Sequence, residues 1–295
     1  MGTPPAIATR SSRLALVQAE AVRSAVARAN PGLELSLLEV TSRGDELADV
    51  SLESVEGTGF FTDAVEQALL TGTAVLGAHS LKDIPTELDR RFAIAAVLAR
   101  GDPRDVLVSP YGGLDRLPAG ARIGTDASRR REQLALLRPD LVFLPVRGNV
   151  PTRLEKLDRG DYDGLVLAAA GLLRLGLGAR ITEYLETDRC LPAPGQGAIA
   201  VESLSDGEWV TIAARADDVP TSTAVRAERA FLAALGGGCA TPVGGLAEVE
   251  GEKLRLRGVV VEGGQALRVE VVGRLSEPQA PERLGFEAAR RLRRP

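Results

Sequence analysis

The chain has 295 residues, of which 44% are hydrophobic and 26% are charged, so it is long enough for two or three domains with buried cores. Its net charge of −4 and aromatic content of 3% argue against a nucleic-acid-binding protein. No apolar run approaches the ~20 residues that cross a membrane and no hydrophobic leader is visible, so we expect a soluble cytoplasmic protein without membrane association.

Few residues are available for metal binding or for histidine-based catalysis. Cys190 and Cys239 are far apart, which gives neither a disulfide framework nor the spacing of metal ligands, and His79 is the only histidine. Arginine, by contrast, accounts for all but three of the 36 basic residues. GC-rich coding or adaptation to heat explains much of this excess, so only position along the chain can indicate which arginines bind a ligand.

The first hundred residues alternate between strands and helices. Strands are predicted at residues 6–9, 33–40, 74–77 and 92–98, and helices at residues 12–29 and 60–70. Ser12 lies between the first strand and the first helix, where it can cap the helix or contribute to an anion site; both possibilities stay open. Residues 46–59 show no clear period, and we expect this segment to be mobile in the free protein.

A second α/β alternation follows, and then a segment of a different type. Strands are predicted at residues 106–109, 122–124, 141–146, 164–169 and 198–202, and helices at residues 127–138 and 151–159. From about residue 220 onward, a helix at residues 221–235 precedes three alternating strands at residues 243–250, 253–261 and 265–272, and a helix at residues 281–294 ends the chain. This last segment is typical of a small α+β module with a three-stranded sheet.

Basic residues repeatedly follow a predicted strand and precede a helix. The residues in this pattern are Arg10, Arg43, Lys82, Arg129, Arg130, Arg147 and Arg174. Ligands of open α/β sheets bind at the carboxyl ends of strands, and guanidinium groups bind carboxylates with two hydrogen bonds. The pattern therefore predicts a cleft between two α/β domains that binds a polycarboxylate. A phosphate ligand is disfavoured, because no glycine-rich phosphate loop follows a strand.

Two further positions indicate chemistry. Lys82 and Asp83 follow a buried strand and would supply one cation for an acidic ligand and one carboxylate for developing positive charge; an ordinary surface loop is the simpler alternative. Cys239 follows three glycines, where a thiol is expected to be accessible as a nucleophile or as an attachment point. Because no second histidine can act as its base, attachment is favoured. Cys190 is interpreted as a small apolar residue.

Nine motifs, in this order along the chain, carry a resemblance to a known family. They are Ala8-Thr9-Arg10, residues 41–45, His79 to Pro85, residues 102–105, Arg129-Arg130, residues 144–149, residues 171–176, residues 194–198 and Gly237-Gly238-Cys239. With these motifs the chain resembles the hydroxymethylbilane synthases, also called porphobilinogen deaminases, over essentially its whole length.

The resemblance implies an α/β fold of three domains. Residues 1–99 with 197–217 would form the first domain and residues 103–191 the second, both similar to bacterial solute-binding proteins and flanking a cleft. Residues 219–295 would form the α+β third domain. The implied activity is that of a transferase, a cytoplasmic monomer that joins four porphobilinogen molecules with loss of ammonia. Its product, linear hydroxymethylbilane, would pass to a downstream uroporphyrinogen-forming enzyme.

The resemblance also implies roles for individual residues, with no metal. Cys239 would carry a dipyrromethane cofactor through a thioether, and Asp83 would be the catalytic carboxylate, with Lys82 beside it. The implied cofactor contacts are Arg10, Ser12, Lys82, Arg129, Arg130, Arg147 and Gly148. The implied substrate contacts are Arg10, Arg147, Arg153, Arg174 and Gln196.

The chain departs from the family pattern at several positions. Thr58 stands where the family has a loop lysine, Asp126 where it has a serine, and Gly236 where it has a glutamate before the cysteine. A solute-binding protein for a polycarboxylate is the main alternative function. Such a protein would share the first two domains but would normally carry a signal peptide and would need no accessible cysteine.

Overall fold

The computed structural model describes residues 4–42, 62–237, 242–277 and 279–293. Our predictions for Arg43, for residues 46–59 with Thr58, for the helix start at residues 60 and 61, and for Cys239 lie outside the described residues. The described residues fall into two units. The first comprises those within Met1–Ala48, Gly57–Gly101 and Ala198–Thr223, and the second those within Asp102–Gly197 and Ala224–Pro295.

Strands and helices alternate along most of the described chain. In order, they are β1 (Ala6–Arg10), α1 (Arg13–Ala29), β2 (Ser36–Val40), α2 (Asp63–Leu70), β3 (Leu76–Ser80), β4 (Phe92–Val97), β5 (Asp105–Val108), β6 (Arg122–Gly124), α3 (Ser128–Leu137), β7 (Val142–Leu144), α4 (Val150–Asp158), β8 (Gly164–Ala168), α5 (Ala169–Arg174), β9 (Glu183–Leu185), β10 (Ile199–Leu204), α6 (Trp209–Ala214), α7 (Val219–Ala234), β11 (Val243–Glu250), β12 (Lys253–Glu262), β13 (Gln265–Arg274) and α8 (Ala280–Leu292).

The first sheet has five strands in the order β2-β1-β3-β10-β4. β1 is parallel to both β2 and β3, whereas β10 is antiparallel to β3 and β4. α1 covers one face of this sheet, because Ala19, Val22 and Val26 recur at helical spacing and are fully buried against β1 and β3. These residues belong to the core of the first unit.

The second sheet also has five strands, in the order β7-β6-β8-β5-β9. β6 is parallel to β7 and β8, and β5 is antiparallel to β8, with Asp105 opposite Ala168. The carboxyl ends of β6, β7 and β8 and the start of β5 therefore meet at one edge. The segments that follow the strands at this edge carry most of the predicted ligand-binding arginines: Arg147 lies in a loop, and Arg129, Arg130, Arg153 and Arg174 lie in helices.

A third, antiparallel sheet of three strands in the order β11-β12-β13 follows within the second unit. Its apolar face packs against α7 and α8, and Phe231 of α7 and Leu256 of β12 are fully buried in this core. The predicted fold class, two α/β sheets and a C-terminal α+β module with three strands, is confirmed. The predicted division into three domains stays a prediction.

Several elements differ from the sequence prediction. β7 is shorter than predicted, because Pro145 cannot donate a hydrogen bond to a neighbouring strand. α7 begins two residues early, since the Asp218 side chain accepts a hydrogen bond from the backbone N–H of Thr221 (3.1 Å). The sequence prediction missed α5, α6 and β9, which have three to six residues each and are too short for a clear period. In the described part of the chain, no helix combines the length and the apolar character needed to span a membrane.

Candidate functional site

In the first unit, the predicted site residues Arg10, Lys82 and Asp83 lie at one edge of the sheet. The register pairs Ile7 with Leu76 in parallel strands, so β1 and β3 end at the same edge. Arg10 is the last residue of β1, and the 3₁₀ turn Leu81–Asp83 follows β3 directly. The topology thus brings Arg10 to the same edge as Lys82 and Asp83, as the strand-end pattern predicted.

Buried neighbours fix the backbone of the Lys82–Asp83 turn. Leu81 and Ile84 are only 1% and 4% exposed, and the N–H of Leu81 donates to the carbonyl of Ala198 (3.1 Å). The N–H of Ile84 closes the turn on the carbonyl of Leu81 (3.1 Å). Lys82 and Asp83 lie between these anchors with half-buried side chains. The turn therefore presents a cation and a carboxylate from a backbone that is tied to the sheet.

Ser12 has a structural role that the structure shows directly. Its hydroxyl accepts a hydrogen bond from the N–H of Ala15 (3.3 Å), which makes it the N-cap of α1. The predicted cap is confirmed. The additional cofactor contact implied for Ser12 stays a prediction.

A buried polar pair lies immediately before the Lys82–Asp83 turn. The His79 Nε2 and Glu202 Oε2 atoms are 3.0 Å apart, and the two side chains are only 3% and 0% exposed. Gly77 leaves room for this pair, since a Cβ there would lie 3.0 Å from the His79 Nε2. Burial raises the pKa of nearby Glu66, and the charge of Glu202 raises it further. Sequence reasoning did not find this pair, because the two residues are 123 positions apart.

In the second unit, Asp105 is the centre of a buried network of side chains. Its two carboxylate oxygens contact Arg129 Nη1 (2.6 Å) and Arg130 Nη2 (2.8 Å), and Gln196 Nε2 donates to Oδ1 (2.9 Å). Asp105 is 0% exposed, while the two arginines are 4% and 6% exposed. Arg129 also donates to the carbonyl of Leu191 (2.7 Å). This network joins the start of β5, the first turn of α3 and the segment after β9.

The electrostatics of this network favour a charged carboxylate. Burial by itself raises the pKa of Asp105, but the charges of Arg129 and Arg130 outweigh burial and hold it well below its usual range. Cys190 lies within the same network, 3.5 Å from Asp105 Oδ2, and burial raises the pKa of its thiol to about 12. Its buried position agrees with the interpretation of Cys190 as a core residue. Asp105 belonged to a recognised motif, yet its role was not predicted; a single acidic residue beginning a buried strand is the signal that could have indicated it.

A second group of charges lies at the same sheet edge. Arg147 Nη1 donates to Asp126 Oδ2 (3.0 Å), and both side chains are mostly buried. Arg153 Nε donates to the carbonyl of Gly148 (2.7 Å). Burial lowers the pKa of Arg153 to about 10, and the charges of Arg130 and Arg147 act in the same direction. We call Arg130, Arg147, Arg153 and Asp126 the charged cluster; it contains three guanidinium groups and one carboxylate.

Gly148 and Arg174 are the remaining predicted contact residues of the second unit, and hydrogen bonds to the main chain fix the segments around them. Gly148 has a φ of +106°, a conformation that L side chains rarely adopt, and Asn149 after it caps α4 by accepting from the N–H of Thr152 (3.0 Å). Arg174, the last residue of α5, donates to the carbonyl of Gly197 (2.6 Å). Burial lowers its pKa.

The predicted site residues that the structure describes, which leave out Cys239, therefore fall into two groups by exposure. Arg129, Arg130 and Gln196 are buried, and each contacts Asp105. The half-buried group consists of Arg10, Ser12, Lys82, Asp83, Arg147, Gly148, Arg153 and Arg174. Their predicted contacts with a ligand stay predictions.

Two family models match the chain. The first, described as "Porphobilinogen deaminase, dipyromethane cofactor binding domain", matches residues 6–211, and the second, "Porphobilinogen deaminase, C-terminal domain", matches residues 222–294. Relatives named porphobilinogen deaminase include one from Stenotrophomonas maltophilia (strain R551-3), 49% identical over 97% of this chain and 95% of the relative. Another, from Roseiflexus sp. (strain RS-1), is 47% identical over 92% of this chain and 91% of the relative.

Solved structures show a more distant likeness. The VFT2 domain of Bordetella pertussis BvgS has a TM-score of 0.42 and 16% identity, over 72% of this chain and 86% of that chain. A nutrient binding protein from Burkholderia cenocepacia bound to methionine has a TM-score of 0.44 and 14% identity, over 72% and 90%. Likenesses at this level say nothing about ligands.

Proposed function

Since the chain belongs to the porphobilinogen deaminase family, we propose that it catalyses the reaction of that family. Four porphobilinogen molecules are joined in steps, each with loss of ammonia, and one water molecule then releases the chain as linear hydroxymethylbilane. The chain is thus a transferase of tetrapyrrole biosynthesis. The observation that carries this proposal is the match of both family models, which together cover residues 6–211 and 222–294.

The charges of the second unit fit the cofactor that the family model names. A dipyrromethane carries acetate and propionate side chains, and the charged cluster together with Arg129 and Asp105 contains four guanidinium groups and two carboxylates, an excess of positive charge. We assign Arg147, Gly148 and Arg130 to its carboxylates, together with Arg129 and, from the first unit, Arg10, Ser12 and Lys82. Bound to Cys239, the cofactor would supply the pyrrole to which the first substrate unit is joined.

Asp83 is assigned the electrostatic role in each condensation. When the carbon–nitrogen bond of a porphobilinogen breaks, ammonia leaves and the remaining unit is a cationic azafulvene. A fixed carboxylate lowers the energy of that cation, and it also accepts hydrogen bonds from pyrrole N–H groups. The anchoring of Leu81 and Ile84 supports this role, because a preorganised charge needs a fixed backbone. Lys82 would repel the cation, so it is assigned to a substrate carboxylate.

The substrate carboxylates are assigned to Arg10, Arg147, Arg153 and Arg174, with Gln196 as a further contact. The half-buried position of these arginines supports the assignment, since a guanidinium group screened from water binds a carboxylate more strongly than an exposed one. Gln196 is 1% exposed and donates to Asp105, which supports a role in holding the arginines in place as well.

The cellular setting completes the proposal. We place the enzyme in the cytoplasm as a monomer that passes its product to a uroporphyrinogen-forming enzyme. The free, buried thiol of Cys190 is compatible with a reducing compartment.

Intact mass spectrometry and a porphobilinogen assay test the function together. The purified protein should weigh more than its sequence by one dipyrromethane and should convert porphobilinogen to hydroxymethylbilane. Cys239→Ser should lose both the mass increment and activity, whereas the matched change Cys190→Ser should keep both. A wild-type protein of unmodified mass that releases no ammonia from porphobilinogen would contradict the proposed function.

A further inference from the structure

Asp126 lies in the charged cluster because of the strand pairing of the second sheet. β6 and β7 are parallel, with Gly124 opposite Leu144, and the N–H of Thr125 continues the pairing to the carbonyl of Leu144 (2.9 Å). Asp126 and Arg147 therefore follow neighbouring strand ends. Their side chains meet at 3.0 Å with only 14% and 16% exposed.

Arg153 is a second cation near this carboxylate. The charge of Asp126 acts on Arg153 against the charges of Arg130 and Arg147, so Arg153 lies within electrostatic reach of all three groups. The backbone of Arg147 is held independently, because Lys156 Nζ donates to its carbonyl (3.1 Å). Asp126 is thus not needed to fix the main chain at Arg147, and its effect falls on the guanidinium group.

A carboxylate in this position has a predictable effect on an acidic ligand. A ligand carboxylate that binds Arg147 must replace the Asp126 oxygen or share the guanidinium group with it, and the two negative charges repel each other. The Asp126–Arg147 ion pair of the free protein therefore makes the free energy of binding a ligand carboxylate less favourable. A simpler role exists for comparison: Asp126 precedes α3 by two residues, where a negative charge stabilises a helix N-terminus.

We propose that Asp126 sets the affinity of the charged cluster: it is an internal carboxylate that competes with ligand carboxylates for Arg147 and so limits how tightly the cluster holds an acidic chain. The proposal rests on the proposed function of Arg147 as a carboxylate-binding residue. In an enzyme that adds carboxylate-bearing units one after another, a weaker hold on each carboxylate favours movement of the chain after each addition.

The test compares Asp126→Asn and Asp126→Ser with the wild type, all with the cofactor mass confirmed. Both variants should lower the KM for porphobilinogen by about threefold to tenfold, the range of a partly shielded ion pair, without raising kcat. Titration calorimetry with citrate as a carboxylate probe should show binding tightened by a similar factor. In an Arg147→Leu background, Asp126→Asn should change both values much less, because the competition for that guanidinium group is gone and only the direct repulsion between carboxylates remains.

Asp158→Asn is the matched control. It removes one negative charge and one aspartate–arginine pair from the same unit, since Asp158 contacts Arg180 at 2.6 Å on the surface, and it should leave KM and citrate binding unchanged. An unchanged or raised KM in Asp126→Asn, or citrate binding that is no tighter, would overturn the proposal. A raised KM together with a lowered thermal midpoint would assign Asp126 to the stability of α3 instead. Failure of the proposed function is a separate outcome: the wild type would not convert porphobilinogen, while the citrate titration would still report on Asp126.

Discussion

At the scale of single residues, Asp105 is the carboxylate at the centre of the buried network in the second unit. It is completely buried, and Arg129, Arg130 and Gln196 bond to its two oxygens. A buried pair or triad of this kind adds little to stability when compared with apolar side chains, but the loss of one partner leaves an uncompensated buried charge. If Asp105 lost its charge, the guanidinium groups of Arg129 and Arg130 at the proposed site would remain buried without their carboxylate.

Asp105→Asn should therefore lower the free energy of unfolding by about 3–5 kcal/mol at neutral pH. The pKa of Asp105 is depressed in the folded protein, so the stabilising effect of its charge is fully present above the ordinary value of 3.8 and is lost as the pH falls below it. Urea unfolding at a series of pH values measures this effect. The difference in free energy of unfolding between the wild type and Asp105→Asn should be constant near neutral pH and should shrink below about pH 4. A difference that does not change with pH would contradict the ionised state of Asp105.

Asp83 should be the most sensitive position for catalysis. Asp83→Asn removes the charge at constant size and should slow condensation about 10²–10³-fold, while Asp83→Glu displaces the charge and should cost about 10²-fold. Single-turnover condensation, measured on protein whose mass shows the intact cofactor, separates failed catalysis from failed cofactor assembly. Glu87→Gln, a charge removal at an exposed residue of the next segment, serves as the control. A near-native rate for Asp83→Asn would remove Asp83 from the mechanism.

At the scale of elements, the ends of strands carry the site. β6, β7 and β8 are parallel and deliver Asp126, Arg147 and α5 to one edge of the second sheet. β5 runs in the opposite direction, so its first residue, Asp105, reaches the same edge. The first sheet has the same arrangement, with Arg10 as the last residue of β1 and the Lys82–Asp83 turn directly after β3. Short, anchored loops between packed elements give these side chains a fixed geometry.

Ser12, at the start of α1, allows its cap and ligand roles to be separated. Ser12→Asp keeps an N-cap acceptor and adds a negative charge that suits a helix N-terminus, so the thermal midpoint should be unchanged. The same charge would repel a ligand carboxylate, so the KM for porphobilinogen should rise several-fold. Ser12→Ala loses the cap and should cost about 1 kcal/mol of stability. If Ser12→Asp left KM unchanged, Ser12 would be a cap and nothing more.

At the scale of the whole molecule, many of the arginines fall into two groups: those near strand ends and those in surface ion pairs. The net charge is −4, yet several arginines lie at or just after the ends of strands. Many other arginines form surface pairs with acidic residues, for example Arg91 with Asp89 and Arg290 with Glu287. Exposed pairs of this type add little to stability. The cations assigned to the ligand must attract a charged substrate from solution, so they should dominate the response of substrate binding to ionic strength.

Salt should therefore weaken substrate binding more than it weakens the fold. Raising KCl from about 0.05 M to about 0.5 M shortens the screening length to a few ångströms, so the KM for porphobilinogen should rise several-fold while the thermal midpoint changes little. Steady-state kinetics and thermal unfolding in the same buffers measure both. A KM that is independent of salt would show that ion pairing contributes little to substrate binding.

Much of the architecture was predictable from local sequence patterns. The strands and the long helices have clear periods and caps, so α1, β8 and the three C-terminal strands were placed within a few residues. β9 and α5 were not predicted. β9 is a strand because its three residues pair with β5. α5 is a helix of only six residues that follows β8 directly. Elements of this length are stabilised by contacts with distant residues, and a local window of sequence does not contain those contacts.

By itself, the sequence determined the family, the alternation of strands and helices, and the chemical character of the site, because motifs, periodicity and residue types are local properties. The tertiary structure alone decided which charges meet. It paired His79 with Glu202, placed Asp105 between Arg129 and Arg130, and set Asp126 against Arg147. These partners are between 21 and 123 positions apart. Strand order and burial bring them together, and the low dielectric of the interior then makes each contact strong.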